Sequence, residues 1–280
     1  MDLDLLLKQL TKLDPSYIKL TKKPGDAQSY AREALRKHCN YIVAAGGDGT
    51  LNEVVNGIAR SAAHVRLGLL PLGTGNDFAR CLNLPATVEE NIEILRAGKT
   101  KAIDLVRVRS DRVRYFVNVS AGGFSGLVDE KLTPEIKRNW GPLAYVRTAA
   151  AALPQLRAYR TSVKLGEKET FSIDLYNVIV ANGQFVAGGL PVAPKADPAD
   201  GLLDVILIPQ RPASEVMLLA TQILLGRHLR SIALTYRRTK KVSIKSQPGM
   251  WFNVDGELVG NSPATFEVVP RALQFVVRKR

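Results

Sequence analysis

Three glycines surround a single aspartate in the segment Gly46-Gly47-Asp48-Gly49-Thr50. An apolar run from Tyr41 to Ala45 precedes this segment and predicts a buried strand, and leucine and valine at helical spacing follow it. Such a turn is typical of an anion site, because glycine lets backbone N–H groups approach a phosphate and a helix N-terminus carries partial positive charge. Thr50 is the expected cap of the helix. An ordinary strand-to-helix turn often has one or two glycines, but three around an aspartate favour phosphate binding.

Asp48 places a further condition on this site. A carboxylate repels phosphate unless it has a cation between them or a hydroxyl from which to accept a hydrogen bond. Neither Gly-x-x-x-x-Gly-Lys-Ser/Thr nor Gly-x-Gly-x-x-Gly with a later acidic residue occurs in the sequence. The segment therefore belongs to a different class of nucleotide-binding loop.

A second glycine turn, Gly73-Thr74-Gly75-Asn76-Asp77, follows another apolar run at Leu67 to Leu72 and precedes a predicted helix that contains Phe78, Ala79 and Leu82. The other elements predicted in this half are helices at residues 2–13, 26–38 and 88–96 and a strand from Tyr17 to Leu20. Alternating strands and helices predict a parallel sheet with helices on both faces, which is a three-layer α/β fold. Both glycine turns then lie at the carboxyl edge of the sheet, where such folds bind ligands.

Near residues 98–103 the pattern changes from alternating strands and helices to mostly strands. We therefore predict two domains, at residues 1–102 and 103–280. The strands predicted in the second domain are Ile103 to Val108, Tyr115 to Val119, Thr161 to Leu165, Ser172 to Val180, Leu202 to Ile208, Lys241 to Lys245 and Thr265 to Val269. Helices are predicted only at Tyr145–Leu156 and Ala213–Leu225. This pattern favours an antiparallel β-sandwich, with the active site in the cleft between the domains.

The formal net charge of +13 points to an anionic partner: nucleic acid, a membrane surface or a phosphorylated ligand. No nucleic-acid-binding motif accompanies the basic residues and aromatic content is only 6%, so we rank nucleic acid below an anionic membrane. The apolar run from Val216 to Leu225 is about half of the ~20 residues that span a bilayer. Two cysteines suit a reducing cytoplasm. Binding to a membrane is therefore expected to be peripheral.

Two groups of carboxylates could do chemistry, and each has a structural alternative. In Asn253-Val-Asp255-Gly-Glu257 a carboxylate could accept a proton, yet Asp-Gly between strands is also a standard hairpin turn. Asp197 and Asp200 are spaced to hold a hard cation, or they form a solvated turn. Asp104 is either a cleft residue or a solvated strand end.

The two glycine motifs together resemble the diacylglycerol kinase catalytic-domain superfamily, and within it the bacterial YegS-type soluble lipid kinases. The similarity covers about residues 21–270 and continues through Asn182-Gly183, Gly188-Gly189, Pro194, Asp200-Gly-Leu-Leu-Asp204 and Asn253–Glu257. The resemblance implies an N-terminal domain that binds ATP and a β-rich domain that completes a lipid cleft. The family's opening strand and Asn-Pro-x-x-Gly loop have no counterpart here. We therefore expect a sheet one strand short, weak ATP binding and an edge through which a homodimer can form.

The resemblance also implies roles for individual residues. The positions that match the family's nucleotide contacts are Thr21, Gly46, Gly47, Asp48, Gly49, Thr50, Leu51, Asn52 and Thr74. Glu257 matches the proton acceptor, Asp255 binds metal or shares that role, and Asp48 completes the catalytic set. Asp197, Asp200 and the carbonyl of Leu202 match a structural Mg²⁺ site.

The sequence thus predicts an ATP- and Mg²⁺-dependent lipid kinase, cytoplasmic and peripherally membrane-associated, that phosphorylates a hydroxyl of diacylglycerol or a related lipid. A non-catalytic lipid- or nucleotide-binding relative is the main alternative. An NAD kinase-like enzyme is a lesser one.

Overall fold

A computed structural model describes residues 3–61, 64–124, 156–167, 169–260 and 263–278. The helices in these ranges are α1 (Leu3–Leu10), α2 (Asp26–Arg36), α3 (Asp48–Ile58), α4 (Asp77–Cys81), α5 (Val88–Ala97) and α6 (Ala213–Leu224). The strands are β1 (Tyr41–Gly46), β2 (Arg66–Pro71), β3 (Thr100–Arg109), β4 (Val113–Phe116), β5 (Val119–Gly123), β6 (Tyr159–Leu165), β7 (Glu169–Ala181), β8 (Leu203–Pro209), β9 (Thr235–Thr239), β10 (Lys241–Gln247), β11 (Phe252–Val254), β12 (Glu257–Val259) and β13 (Ala264–Val276). All but the last residue of the predicted helix Tyr145–Leu156 lies outside the described residues.

The N-terminal half has the predicted three layers. β1 and β2 are parallel and in register from Tyr41–Arg66 to Gly46–Pro71, with α3 between them in sequence. Successive strand residues point to opposite faces, so Leu67 and Leu69 pack with α2 and α3, whereas Leu70 packs with α1 and α5. The prediction of a parallel sheet with helices on both faces is confirmed.

The strand predicted from Tyr17 to Leu20 is wrong. This segment is an irregular connection between α1 and α2, and Tyr17, Ile18 and Leu20 are 37%, 39% and 49% exposed. A strand forms only where a neighbouring strand pairs with its backbone. In the described part of the chain β1 pairs with β2 alone, and nothing pairs with residues 17–20.

The sheet of the N-terminal half is completed by the end of the chain. In β13, Gln274 and Phe275 pair in parallel with Arg66 and Leu67 of β2. The other half of β13 pairs with β10, and the register shifts between Val269 and Leu273. β3 runs antiparallel to β13 on both sides of that shift. These two strands therefore connect both halves of the molecule.

The C-terminal half is the predicted antiparallel β-sandwich. Its pairing order is β10-β6-β7-β5-β11-β12, with β8 and β9 added beside β7. Val106, Val178, Val242, Phe252 and Phe266 belong to the core enclosed by this sandwich. The predicted helix at Ala213–Leu225 is present as α6 and covers the outer face of β7 and β8. The predicted strand from Tyr115 to Val119 is instead divided between β4 and β5.

Candidate active site

The two glycine turns pack directly on one another. A Cβ atom added to Gly73 would lie 2.6 Å from the Cα atom of Gly47, and one added to Gly47 would lie 3.2 Å from the Cα atom of Gly73. Gly46, Gly47 and Gly49 do not have positive φ, so close approach rather than left-handed backbone requires glycine at positions 47 and 73. The expected cap is also wrong: the helix begins at Asp48 with Gly47 as N-cap, and Thr50 lies inside it.

Asp48 joins these two turns through its side chain. Its carboxylate oxygens accept hydrogen bonds from the backbone N–H groups of Asp77 and Phe78, each at 3.2 Å. These are the first two residues of α4. Gly49, the next residue, is exposed, and no atom lies within 4 Å of the position of an added Cβ. The first turn of α3 therefore faces open space beside a fixed carboxylate.

Asp77 ties the second turn to the C-terminal half, a link that the sequence analysis did not identify. Its buried carboxylate accepts hydrogen bonds from the N–H groups of Gly188 at 3.0 Å and Gly189 at 2.7 Å. Burial raises the pKa of Asp77, and the negative charge of Asp48 adds to the increase. An aspartate at the start of a helix ordinarily indicates an N-cap. The position of Asp77 in the sequence therefore gave no sign of a bond to the C-terminal half.

Asn52 and Asn56 connect α3 to the sandwich. The Asn52 amide donates to the carbonyl of Val254 at 3.3 Å, and its side chain is 3% exposed. Asn56, one helical turn later, donates to the Tyr115 carbonyl at 2.8 Å and accepts from the Tyr115 N–H at 3.0 Å. This polar seam has no local signature in the sequence, because α3 also carries Asp48, Thr50 and Glu53.

Asp255 and Gly256 form the tight turn between β11 and β12. Their φ angles are 45° and 94°, as a type I′ hairpin requires, so the hairpin interpretation of this motif is confirmed. The Asp255 carboxylate accepts hydrogen bonds from the N–H groups of Val117 at 3.1 Å and Val119 at 3.0 Å. Burial raises the pKa of Asp255 to about 7, and the nearby charge of Asp48 contributes, although the two hydrogen bonds oppose the shift.

Glu257 begins β12, directly after this turn. One of its carboxylate oxygens lies 3.2 Å from Nη2 of Arg114 and 3.9 Å from Nη2 of Arg112. The side chain is 37% exposed. Glu257 is therefore held by ion pairs at the surface of the cleft, whereas Asp255 is held by the backbone.

These groups converge on a cavity of about 710 Å³ between the two halves. Its polar end is lined by Asp48, Gly49, Asn52, Glu53, Asp77, Asn118, Asn253, Asp255, Gly256 and Glu257. The rest of its lining is mostly apolar and includes Val119, Ile179, Val186, Leu190, Val192, Ile208, Val216, Leu219, Ala220, Ile223 and Leu224, with Tyr176 and Asn177 as polar members on β7. A mostly apolar pocket with a few carboxylates at one end can bind an amphiphile and hold its polar group at the acids.

The other residues with predicted nucleotide contacts do not line the cavity. Thr21 is exposed before α2, and Thr74 is exposed in the second glycine turn. Leu51 is 1% exposed, so only its backbone can meet a ligand. Gly46, Gly47 and Thr50 form the turn behind Gly49.

The predicted structural Mg²⁺ site has carboxylates that are already paired with basic groups. Asp197 Oδ1 lies 3.5 Å from Lys101 Nζ, and Asp200 forms a salt bridge with Arg238. Asp200 also accepts a hydrogen bond from the N–H of Leu202 at 3.0 Å. Within the described ranges no three side chains of His, Cys, Asp or Glu are grouped to hold a metal.

Asp104 is neither a cleft residue nor a solvated strand end, so both predictions for it are wrong. It is fully buried inside β3, and its carboxylate accepts hydrogen bonds from the N–H groups of Gly201 and Arg271, each at 2.7 Å. Burial raises its pKa. Asp104 thus links two segments. One is the turn that contains Asp197 and Asp200, and the other is the register shift of β13 near Arg271.

Comparison with known proteins decides the family. A model of the diacylglycerol kinase catalytic domain matches residues 3–108, and a model of the YegS C-terminal NAD kinase beta sandwich-like domain matches residues 118–277. A diacylglycerol kinase of Staphylococcus haemolyticus (strain JCSC1435) is 34% identical over 265 residues, covering 92% of this chain and 77% of that protein. The chain belongs to the diacylglycerol kinase family. The predicted resemblance is confirmed, and with it membership of a lipid kinase family.

Solved structures show the same fold. A Bacillus anthracis str. Sterne protein assigned as a diacylglycerol kinase is 23% identical, with a TM-score of 0.82 over 98% of this chain and 90% of that one. An Archaeoglobus fulgidus NAD kinase in complex with ATP is 15% identical, with a TM-score of 0.53 over 96% of this chain and 87% of that one. The predicted fold class, an α/β domain followed by a β-sandwich, is confirmed.

Proposed function

We propose that this kinase transfers the γ-phosphate of ATP, bound with Mg²⁺, to a hydroxyl of diacylglycerol or a related lipid. The observation that carries the proposal is the single cavity in which Asp48, Asp255 and Glu257 lie at one end and apolar side chains form the other. Acyl chains occupy the apolar end and place the free hydroxyl among the carboxylates. NAD is a polar molecule and would leave the apolar end of the cavity without contacts. The cavity therefore favours a lipid substrate over the NAD kinase-like alternative.

ATP binds at the turn that faces open space. In the proposal its phosphates contact the backbone of Gly46 to Asn52, with Thr21 and Thr74 at the margins. The helix start at Asp48 supplies N–H groups and partial positive charge for this purpose. The NAD kinase of the same fold binds ATP, which supports the choice of donor. Mg²⁺ enters with ATP as part of the substrate and neutralises charge between the phosphates and Asp48.

Glu257 accepts the proton of the lipid hydroxyl. The hydroxyl oxygen then bonds to the γ-phosphorus, the bond from that phosphorus to the bridging oxygen breaks, and ADP leaves. Glu257 suits this role because it is held only by ion pairs at the cavity surface, whereas both Asp255 oxygens accept backbone hydrogen bonds. Asp255 fixes the hairpin that carries Glu257, through its hydrogen bonds to Val117 and Val119.

The structural Mg²⁺ at Asp197, Asp200 and the Leu202 carbonyl remains a prediction from the resemblance. The side chains as placed do not fit it well, since Lys101 and Arg238 already neutralise the two carboxylates. No catalytic step depends on this cation.

The lipid is taken from an anionic membrane to which the protein binds peripherally. Net charge of +13 favours such a surface. Among the described helices none is long and apolar enough to cross a bilayer. A homodimer through the edge of β1 is part of the same proposal.

The test is transfer of label from radiolabelled ATP, with Mg²⁺, to dioctanoylglycerol, to a total lipid extract and to NAD. We expect a labelled lipid, and Glu257→Gln lowers kcat by about 10²–10⁴. Glu267→Gln is the matched control, because Glu267 is 34% exposed and pairs with Arg107 outside the cavity. ATP binding without transfer to any lipid would support the non-catalytic alternative, and labelled NADP would support the NAD kinase-like one.

A further inference from the structure

Three large apolar side chains are exposed along α6 and the segment that follows it. Leu218, Leu225 and Ile232 are 59%, 64% and 91% exposed. Leu218 and Leu225 are seven residues apart and share one face of the helix. The chain folds back after the helix, so that the Ile232 carbonyl oxygen lies 3.4 Å from Nη2 of Arg211, just before α6. We call Leu218, Leu225 and Ile232 the exposed ridge of this region, in which the 12-residue helix measures about 18 Å.

Positive charge without a carboxylate partner lies beside this ridge, although Lys195 Nζ also lies 5.9 Å from the centroid of the Tyr236 ring. Lys195, Arg227 and Arg230 line a depression of about 500 Å³, together with Pro194, Gly226 and Leu229. Within the described part of the chain no carboxylate lies at ion-pair distance from these three cations. The only acidic residue between positions 211 and 232 is Glu215, which already pairs with Arg211. Exposed apolar groups beside unneutralised cations complement the interface of an anionic bilayer.

The opposite face of α6 lines the proposed lipid cavity. Val216, Leu219 and Ile223 line it, whereas Leu218 and Leu225 are exposed to solvent. Among the described residues, the helix thus has the cavity on one side and the exposed ridge on the other. A membrane bound to that ridge would lie directly beside the apolar end of the cavity.

We propose that the ridge of Leu218, Leu225 and Ile232, with the basic depression of Lys195, Arg227 and Arg230, is the surface on which this protein docks to an anionic lipid bilayer. The apolar side chains enter the interface, and the three cations bind lipid phosphates. This inference rests on the proposed function only in the choice of a lipid surface, since the docking itself needs no catalysis.

The test is co-sedimentation without ATP, using vesicles of phosphatidylcholine with and without phosphatidylglycerol. The apolar variant is Leu218→Ser/Leu225→Ser/Ile232→Ser, and its matched control is Leu3→Ser/Leu5→Ser/Val113→Ser, which changes residues that are 48–53% exposed elsewhere. We expect the apolar variant to bind both kinds of vesicle at least about 10-fold more weakly. The control binds like the wild type.

The charge variant, Arg227→Gln/Arg230→Gln, removes two cations near the membrane surface. We expect its affinity for anionic vesicles at low salt to fall about 30-fold, and its affinity for phosphatidylcholine vesicles to change little. Lys164→Gln/Lys245→Gln removes equal charge from exposed positions on β6 and β10 and is its control. All variants should retain the wild-type rate on monomeric dioctanoylglycerol, because none of these residues lines the cavity. Absence of kinase activity would reject the proposed function and leave this binding result intact.

Three outcomes would overturn the docking surface. The first is wild-type vesicle binding by both variants. The second is loss of binding in the α1 and β4 control instead. The third is a wild-type dimer in sedimentation velocity that the apolar variant converts to monomer without any change in vesicle binding, which would show that the ridge joins two copies of the chain.

Discussion

Gly73 and Gly47 approach so closely that neither tolerates a side chain without movement of the backbone. In Gly73→Ala the new Cβ would lie 2.6 Å from the Gly47 Cα atom, and backbone on both sides must shift. We expect a lower Tm and weaker ATP binding, measured by thermal unfolding and calorimetry. Gly49→Ala is the control for Tm, because its Cβ meets nothing within 4 Å and alanine favours a helix by about 1 kcal/mol over glycine. Equal Tm values for the two variants would show that the turns do not need this contact.

Asp197 and Asp200 offer a test of the structural cation. If the resemblance is right, Mg²⁺ raises Tm by displacing Lys101 and Arg238 from these carboxylates, and Asp197→Ala/Asp200→Ala abolishes the increase. Thermal unfolding across a Mg²⁺ titration at constant ionic strength, without nucleotide, measures both. A wild-type Tm that does not respond to Mg²⁺ would show that the two ion pairs take the place of the metal here.

At the level of single residues, the sequence predicted a structural role where that role depends only on neighbouring residues. The Asp255-Gly256 turn followed from residue type alone, because only certain residues adopt positive φ at both turn positions. Asp77 and Asn56 could not be found in that way. Their partners are 111 and 59 positions away, and no local pattern encodes such distances. The same holds for Asp104, whose burial depends on segments 97 and 167 positions later.

His228 fastens α6 to the body of the sandwich and makes this element sensitive to acid. Its Nε2 donates to the Val192 carbonyl at 2.7 Å, and burial lowers its pKa below the ordinary 6.5. The unfolded chain therefore binds more protons below that pH, so the stability from neutral His228 is complete above pH 6.5 and is lost as the pH falls below it.

We expect Tm to fall between pH 6.5 and pH 5 less steeply in His228→Gln, which can keep a donor for Val192 without titrating. His64→Gln, at an exposed position, should retain the wild-type profile. Parallel pH profiles for wild type and His228→Gln would mean that another group causes the acid sensitivity.

Whole elements were predictable where hydrophobic periodicity is strong, as in β1, α3, β2 and α6. β9 was missed because its sequence, Thr-Tyr-Arg-Arg-Thr, is polar except for Tyr236. A strand that pairs on one side only needs little apolar surface. The segment from Tyr17 to Leu20 shows the converse failure. Its apolar residues fit a strand, but strand formation depends on a partner that periodicity cannot supply.

For the molecule as a whole, β1 leaves one edge of the N-terminal sheet without a strand neighbour in the described part of the chain. An open edge presents backbone donors and acceptors to another chain. We expect concentration-dependent dimerisation, with amide hydrogens of β1 exchanging more slowly at high protein concentration. Amides of β2, which lies between β1 and β13, serve as the internal control and should exchange equally at both concentrations. Dimerisation without extra protection of β1 would place the contact elsewhere.

The path of β13 has a consequence for how the protein is made. Leu273 and Phe275 belong to the core of the N-terminal half, where the Phe275 ring meets Phe78 edge to face at 5.5 Å between centroids. Domains usually fold in order as they leave the ribosome, the N-terminal one first. Here the core of the nascent N-terminal half stays incomplete, with Leu67 and Phe78 lacking their neighbours from β13, until residues 273–275 have been synthesised. We therefore expect the N-terminal half of a ribosome-bound chain arrested before β13 to be more protease-sensitive than in a chain that includes it.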